Sequence, residues 1–247
     1  MTQILIIAGG LGTRLASMTK ERPKCMLDVE NRPFCEYQLE LFKRQGFKDI
    51  VFCLGHLAEF VMDHFKDGSE IGLNIAYSVE KDPLGTAGAT KLAEEMIDGD
   101  FIAFYGDNFT DMKIRDFIEF HGIKGGLATI NVREKHDPSE SSSLITMTDQ
   151  RITSFIEKPS RQQTKRLEKA RKYINNGIYI CKRNILEYIP KNKPYDFGFD
   201  LFPALLEKGE KIYGYATESY FREIGTPRKY ELFLDEFKTK KKDWGFA

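Results

Sequence analysis

The 247-residue sequence has no excess of either charge, since Lys plus Arg and Asp plus Glu number 37 each. A chain without a net field has no general means of attracting nucleic acid or an acidic membrane surface, so any anionic ligand has to be held by a local cluster. Long apolar runs are missing as well. The opening run Ile4 to Ala8 is too short for a signal segment or a membrane span and meets glycines at once, so it reads as a buried first strand. The four cysteines, Cys25, Cys35, Cys53 and Cys181, have no C-x-x-C spacing. That argues against a zinc site and for free thiols in a reducing cytoplasm. His56, His64, His121 and His136 are scattered, and no serine or cysteine stands in a nucleophile-elbow context, so a hydrolase triad has no support. No repeat, low-complexity tract or Pro/Ser-rich linker divides the chain. It therefore reads as one domain over 1–247, with two halves meeting near residue 110, the second running over 111–230, and a C-terminal helix over 231–247.

What is present is ample apolar content, 41% of residues, and a regular alternation in the first half. Ile4 to Ala8, Ile50 to Leu54, Leu73 to Ser78 and Phe101 to Tyr105 read as strands. Phe34 to Gln45, Ala58 to Phe65 and Thr86 to Glu95 read as helices. Such alternation predicts an α/β fold with a mixed, mostly parallel central sheet covered by helices on both faces. The second half is less regular, with strands expected at Leu127 to Val132, Leu144 to Met147, Ile178 to Cys181 and Lys211 to Ala216, and helices at Gln162 to Lys172 and Leu201 to Glu207. In open sheets ligands lie beyond the carboxyl ends of the strands, so the loops after strands carry most weight.

The loop Ala8-Gly9-Gly10-Leu11-Gly12-Thr13-Arg14-Leu15 follows the first strand directly. Its glycines let backbone amides approach a phosphate chain or a base without side chains in the way. It lacks the third glycine of a dinucleotide fingerprint and the G-K-[ST] ending of a P-loop. A glycine cluster alone also fits a tight strand-to-helix turn. Arg14 and Lys24 shift the balance, because a glycine loop with two nearby cations supplies both the donors and the charge that a triphosphate needs. Pro23 stiffens the backbone before Lys24.

With these residues stand Pro83-Leu84-Gly85-Thr86-Ala87-Gly88, Gly106-Asp107, Glu157-Lys158-Pro159, Asn175-Asn176-Gly177 and Gly225-Thr226-Pro227. In this order and spacing the sequence resembles the sugar-1-phosphate nucleotidyltransferase family, from residue 4 to about 230, and its motifs are most similar to those of mannose-type and heptose-type guanylyltransferases. The resemblance implies a Rossmann-like nucleotide-diphospho-sugar transferase fold, with a nucleotide-binding first half and a sugar-phosphate-binding second half. The implied reaction transfers a nucleoside monophosphate from an NTP, GTP favoured, to a sugar 1-phosphate, with pyrophosphate released and Mg2+ as cofactor.

Under that resemblance Arg14 holds the departing β- and γ-phosphates, Lys24 the α-phosphate under attack, and Lys158 the acceptor's phosphate. Nucleotidyl transfer needs charge neutralisation and in-line positioning more than a protein nucleophile. An acceptor phosphate, with a second pKa of about 6, is already largely dianionic near neutrality. Asp107, at the end of a strand and among phosphates, reads as a magnesium ligand, or else as the cap of the next turn. Its implied partner is Glu223, where the family carries Asp; alternatively Arg222 pairs with Glu223 on the surface. Ala8, Gly9, Gly10, Leu11, Gly12 and Thr13 line the nucleotide, joined by Glu80, Pro83, Gly85 and Thr86. Gly106, Glu157 and Asn175, the last in an N-x-G turn, meet the acceptor.

Ser141-Ser142-Ser143 stands where many relatives carry a Tyr-Gly pair, and a side chain there is expected to intrude on the acceptor. The serine run motivates one alternative, a cytidylyltransferase acting on a sugar phosphate or a non-sugar phosphorylated acceptor, and Glu223 in place of Asp motivates another, a catalytically silent nucleotide-sugar sensor. Lys238, Lys240, Lys241 and Lys242 read as a solvated helix face. Aromatics near Tyr220 and Phe221, expected to be exposed, suggest a homo-oligomer contact.

Overall fold

The structure is a computed structural model that describes residues 2–15, 18–135, 143–167 and 170–246. Strand β1 (Gln3–Ile7) is buried on both sides. Leu5 faces one core layer with Val51 and Ala103, while Ile4 and Ile6 face the other with Phe52 and Phe104. A strand covered on both faces needs apolar residues at consecutive positions, which is why this run shows no polar alternation.

A short hairpin of β2 (Asp28–Val29) and β3 (Arg32–Pro33) leads to α1 (Phe34–Arg44). Then β4 (Asp49–Leu54), α2 (Ala58–Phe65), β5 (Asn74–Val79), α3 (Gly85–Leu92) and β6 (Phe101–Tyr105) follow in alternation. β1 pairs parallel with β4 on one side and β6 on the other, and β5 lies parallel outside β4. The order therefore reverses at β1, which opens a crevice beyond the carboxyl ends of β1 and β6.

The second half continues with β7 (Asn108–Thr110), α4 (Ile114–Lys124), β8 (Ala128–Glu134), β9 (Ser143–Thr148), β10 (Arg151–Glu157), α5 (Arg161–Arg166) and β11 (Tyr173–Cys181). It closes with α6 (Phe202–Glu207), β12 (Ile212–Ala216), β13 (Phe221–Glu223) and α7 (Pro227–Lys240). β11 runs antiparallel beside β6 and joins both halves into one nine-stranded sheet, β5-β4-β1-β6-β11-β8-β12-β10-β9. The mixed α/β architecture expected from the sequence is present, parallel through the first half and mixed in the second.

Several elements depart from the sequence reading. The helix expected at Gln162 to Lys172 is only α5, opened by a Ser160–Gln163 capping box and without a buried residue to extend it. The strand at Ile178 to Cys181 begins at Tyr173, so Asn175 to Gly177 form a bulge inside β11 rather than a turn between elements. β10 escaped notice because a register shift between Ile152 and Ser154 breaks its alternation. α7 starts at Pro227 under a Thr226 cap and ends at Lys240, and Trp244 and Phe246 fold back beyond it. There they meet Phe34, Tyr37, Phe109, Phe233 and Phe237 in an aromatic cluster that ties α7 and α1 to β7. The basic run is partly engaged: Lys241 pairs with Glu30 and Lys240 lies over the Tyr220 ring. Among the described residues no helix is long and apolar enough to cross a membrane.

Candidate active site

The loop after β1 is stitched to both neighbouring strands: Ala8 N–H donates to Cys53 O at 2.8 Å and Gly106 N–H donates to Ile7 O at 2.9 Å. Glycine serves two different needs within it. At Gly9 a Cβ would sit 2.5 Å from Glu80 Oε1, and at Gly55 it would sit 3.0 Å from the same oxygen, so both glycines make room for the Glu80 carboxyl. Gly12, at φ +64, closes on Thr19, whose hydroxyl donates to Gly12 O at 3.1 Å. Gly10 and Leu11 face open space, and Leu11 is 54% exposed despite its apolar side chain. Glu80 is buried, accepts from Leu84 N–H at 3.0 Å, and is pushed above the ordinary carboxyl range by burial.

Lys24 opens a single 3-10 turn after Pro23; that turn sends Cys25 and Met26 into the core and Lys24 towards the crevice. There its ammonium meets Asp107 Oδ2 at 2.7 Å, with both side chains less than a fifth exposed (19% and 17%). Asp107 follows β6, and its carbonyl accepts from Ile224 N–H at 2.9 Å. The antiparallel ladder of β7 and β13 pairs Asn108 with Glu223, which brings Glu223 alongside Asp107. Gly225 marks where they converge. A Cβ there would lie 2.9 Å from Glu223 Oε2, 3.2 Å from Arg14 Nη2 and 3.6 Å from Asp107 Oδ2.

Arg14, Lys24, Asp107 and Glu223, far apart in sequence, thus share one small region. Lys229, from the first turn of α7, meets the other oxygen of Glu223. Arg222 does not pair with Glu223; its guanidinium binds Glu236 on α7, which frees β13 to present Glu223 inward. The glycine leaves a cradle that a methyl would fill, edged by two carboxylate oxygens. Among the described residues no cluster of three or more His, Cys, Asp or Glu side chains could hold a metal. A cation at the cradle would take two protein carboxylates and complete its shell with ligand and water oxygens, the habit of Mg2+.

The other wall is built around Glu157 and Lys158 at the end of β10. The segment 195–200 lies between this wall and α3. Tyr195 O accepts from Ala87 and Gly88 N–H at 2.9 Å each, and Asp196 Oδ1 accepts from both the amide and the hydroxyl of Thr86 at 3.0 Å. The donors of Thr86 are therefore spent on the chain itself, and Gly85 (φ +70) is packed on Tyr195 O. Gly85 and Thr86 hinge the start of α3 to the Glu157 wall, while Pro83 lies exposed before them. Asn175 is turned inward: it donates to Tyr179 OH at 2.7 Å and accepts from Gly177 N–H at 2.8 Å, and Tyr179 OH donates in turn to Tyr105 OH at 3.1 Å. Ser141 and Ser142 lie outside the described residues, as does His136. Ser143 is buried in β9, where its hydroxyl accepts from Asn175 N–H at 2.8 Å, so its side chain supports the bulge instead of intruding on the acceptor.

Burial raises the Glu157 carboxyl to about 7; Lys158 works against the rise and Asp196 adds to it. Between about pH 4.5 and 7 the folded chain keeps a proton that the unfolded chain has lost, so stability falls as pH rises through that window. Glu157→Gln is expected to remove this part of the slope. Relative to the parent it gains on the order of 1–2 kcal/mol at pH 8 over its standing at pH 4, after discounting for partial exposure. Urea unfolding at the two pH values checks it, and parallel pH profiles for both proteins would refute it.

Sequence reasoning missed Asp196, Tyr105, Tyr179 and Thr19, which carry no motif and act through contacts up to 110 residues away. It also expected Tyr220 and Phe221 to be exposed. Tyr220 instead packs tilted against Trp244 (4.8 Å between centroids) and donates to Glu236 at 2.5 Å, and Phe221 packs on the core. Both rings are half-buried and engaged within the chain.

The nucleotidyl transferase family model matches residues 3–238. The UTP–glucose-1-phosphate uridylyltransferase of Synechocystis sp. is 34% identical over 235 residues, 90% of this chain and 59% of that protein. The mannose-1-phosphate guanylyltransferase of Mycobacterium tuberculosis is 30% identical over 228 residues, 92% of this chain and 62% of that protein. The chain thus spans about three fifths of the length of these curated relatives. Crystal structures of HddC from Yersinia pseudotuberculosis, one of them complexed with GMP-PN, superpose with a TM-score of 0.79 at 30% identity, covering 96% of this chain and all of that one. A UDP-glucose pyrophosphorylase complexed with UDP-glucose, 18% identical, shares the fold with a TM-score of 0.81 over 97% of this chain and 99% of that one. On the strength of a match over nearly its whole length, the chain belongs to the nucleotidyl transferase family.

Proposed function

We propose that this chain transfers a nucleoside monophosphate, guanylyl before the other bases, from an NTP to a sugar 1-phosphate and releases pyrophosphate. The observation that carries the reading is the convergence of Arg14, Lys24, Asp107 and Glu223 on the Gly225 cradle, beside an open glycine loop. Two cations and two carboxylates at one point suit a triphosphate with its counter-ion better than they suit a solvated surface.

In this reading an oxygen of the acceptor phosphate attacks the α-phosphorus. The new P–O bond forms as the bond from the α-phosphorus to the bridging oxygen breaks, and pyrophosphate leaves with that electron pair. Lys24, released from Asp107, neutralises the equatorial oxygens of the α-phosphate, and Arg14 holds the departing phosphates. Asp107 and Glu223 would hold Mg2+, which when bound supplies charge stabilisation for the triphosphate. Lys158 meets the acceptor's phosphate and Glu157 its hydroxyls. The four cysteines are buried free thiols, which suits a reducing cytoplasm.

Glu80 supports guanine. A carboxylate accepts two parallel hydrogen bonds, and guanine is the base whose pairing edge offers two adjacent donors, N1–H and the 2-amino group. Uracil offers one donor between two carbonyls, and cytosine offers one amino group beside two acceptors. Guanylyltransferases among the relatives and the GMP-PN complex of HddC point the same way.

The test is pyrophosphate release measured over four NTPs against sugar 1-phosphates and phosphorylated amino alcohols. The highest kcat/KM is expected with GTP and a sugar 1-phosphate, and Glu80→Gln is expected to cut the preference for GTP over UTP about tenfold. Nucleotide binding without release under any pairing would overturn the transfer reading in favour of a sensor. A maximum with CTP and a non-sugar acceptor would overturn the substrate.

A further inference from the structure

Phe199 is a large apolar side chain that folding leaves 51% exposed, and it stands beside Lys158 at the end of β10. It belongs to a π-helical turn, Phe197–Leu201, a geometry that recurs at functional sites. The turn is fixed from three directions. Asp196 is held by Thr86, Asp196 N–H donates to Asp200 Oδ2 at 2.8 Å, and Gly198 passes so close to Glu157 that a Cβ would lie 2.8 Å from its Oε2. The Lys158 ammonium sits 5.3 Å from the centre of the Phe199 ring, and Lys158 itself adopts φ +46, a conformation that a non-glycine residue holds only under constraint. An ammonium, a carboxyl and a rigid half-exposed ring thus stand side by side, supplied by two elements that the turn locks together.

We infer that Phe199 is a specificity-determining residue, the platform on which the acceptor lays the apolar C–H face of its sugar ring while Lys158 takes its phosphate and Glu157 its hydroxyls. The inference rests on the acceptor site proposed above and names its substrate class: a neutral pyranose phosphate. A quaternary or primary ammonium acceptor would also favour an aromatic ring, but one face of Phe199 already carries the Lys158 ammonium, and a second cation brought to the opposite face is repelled, whereas a neutral sugar ring is not. A neutral ring adds burial without that repulsion.

The experiment compares the parent with Phe199→Ala and Phe199→Tyr, using the best GTP and sugar 1-phosphate pair. Phe199→Ala is expected to raise the KM for the acceptor tenfold or more with the KM for GTP within twofold, and Phe199→Tyr to restore it. A structural role would move both constants and the thermal midpoint, which is expected to stay put because the ring is half exposed. Calorimetric titration with mannose 1-phosphate and with phosphocholine, without nucleotide, gives an independent reading. The sugar phosphate is expected to bind the parent and to lose tenfold in Phe199→Ala, while phosphocholine binds neither. If no acceptor turns over but the titration shows this loss, the transfer reading fails and the platform stands. An acceptor affinity unchanged in Phe199→Ala, or tight binding of phosphocholine, overturns the inference.

Discussion

Lys24→Ala is expected to lower kcat by about a thousandfold, with little change in the KM for the nucleotide. The reason lies in where the ammonium stands. It is held by the Pro23 turn and by Asp107 at 2.7 Å, so it is aimed at the crevice before any ligand arrives and needs no reorganisation when charge develops at the α-phosphate. An interaction that grows from ground state to transition state shows in kcat and kcat/KM alike, whereas a mere tether for the triphosphate would show in KM. Asp107→Ala is expected to fall as far, because it removes both a cradle oxygen and the group that orients Lys24. Each single variant leaves one mostly buried charge without its closest partner, which costs on the order of 1–2 kcal/mol of stability. The double variant is expected to be more stable than the sum predicts and no less active than the worse single variant. Steady-state pyrophosphate release, with circular dichroism to confirm the fold, checks all three. Turnover within tenfold of the parent in either single variant would sink the assignment.

How far the sequence shows this arrangement depends on the range over which each signal acts. β1 and its glycine loop are legible because burial on both faces demands consecutive apolar residues and a close backbone approach demands glycine; both are local rules. The ion pair of Lys24 with Asp107 joins residues 83 apart; the resemblance marks each as a site residue, but no pattern in the sequence pairs them. Asp196 has no such help. It carries no motif, and only the folded chain brings it to Thr86, where it seals the first turn of α3 and converts an expected nucleotide contact into a hinge. The serine run misleads at Ser143 for a related reason. Sequence gives its identity, but the register of β9 against Glu157 decides that its hydroxyl turns to Asn175. The aromatics at 220 and 221 looked exposed because Trp244 and Phe246, which help cover this region, lie beyond the end of α7, and nothing periodic announces that the chain turns back.

Gly225→Ala is expected to reduce kcat/KM by about a hundredfold while leaving the fold intact, and this substitution tests the cradle more sharply than removal of either carboxylate. The added methyl would meet Glu223 Oε2 at 2.9 Å and Arg14 Nη2 at 3.2 Å, so at least one of them has to give way. Arg14 is exposed and moves at little cost, but Glu223 is anchored through Lys229 and the β7–β13 ladder. The methyl therefore occupies the space between Glu223 and Asp107 instead of being accommodated. A misplacement of about 1 Å in groups that hold a reacting triphosphate is enough for a loss of this size. The readout that separates the cradle from simple crowding is Mn2+ binding followed by electron paramagnetic resonance in the presence of GMP-PN. Affinity is expected to fall at least tenfold in Gly225→Ala, with the KM for the sugar phosphate nearly constant, because Glu157 and Lys158 belong to the other wall. Restored Mn2+ affinity is expected when Glu223→Asp is added, since the shorter side chain draws its carboxylate back from the methyl. If Gly225→Ala binds Mn2+ as tightly as the parent, the two carboxylates do not act together at this point, and the pairing of Asp107 with Glu223 has to be abandoned.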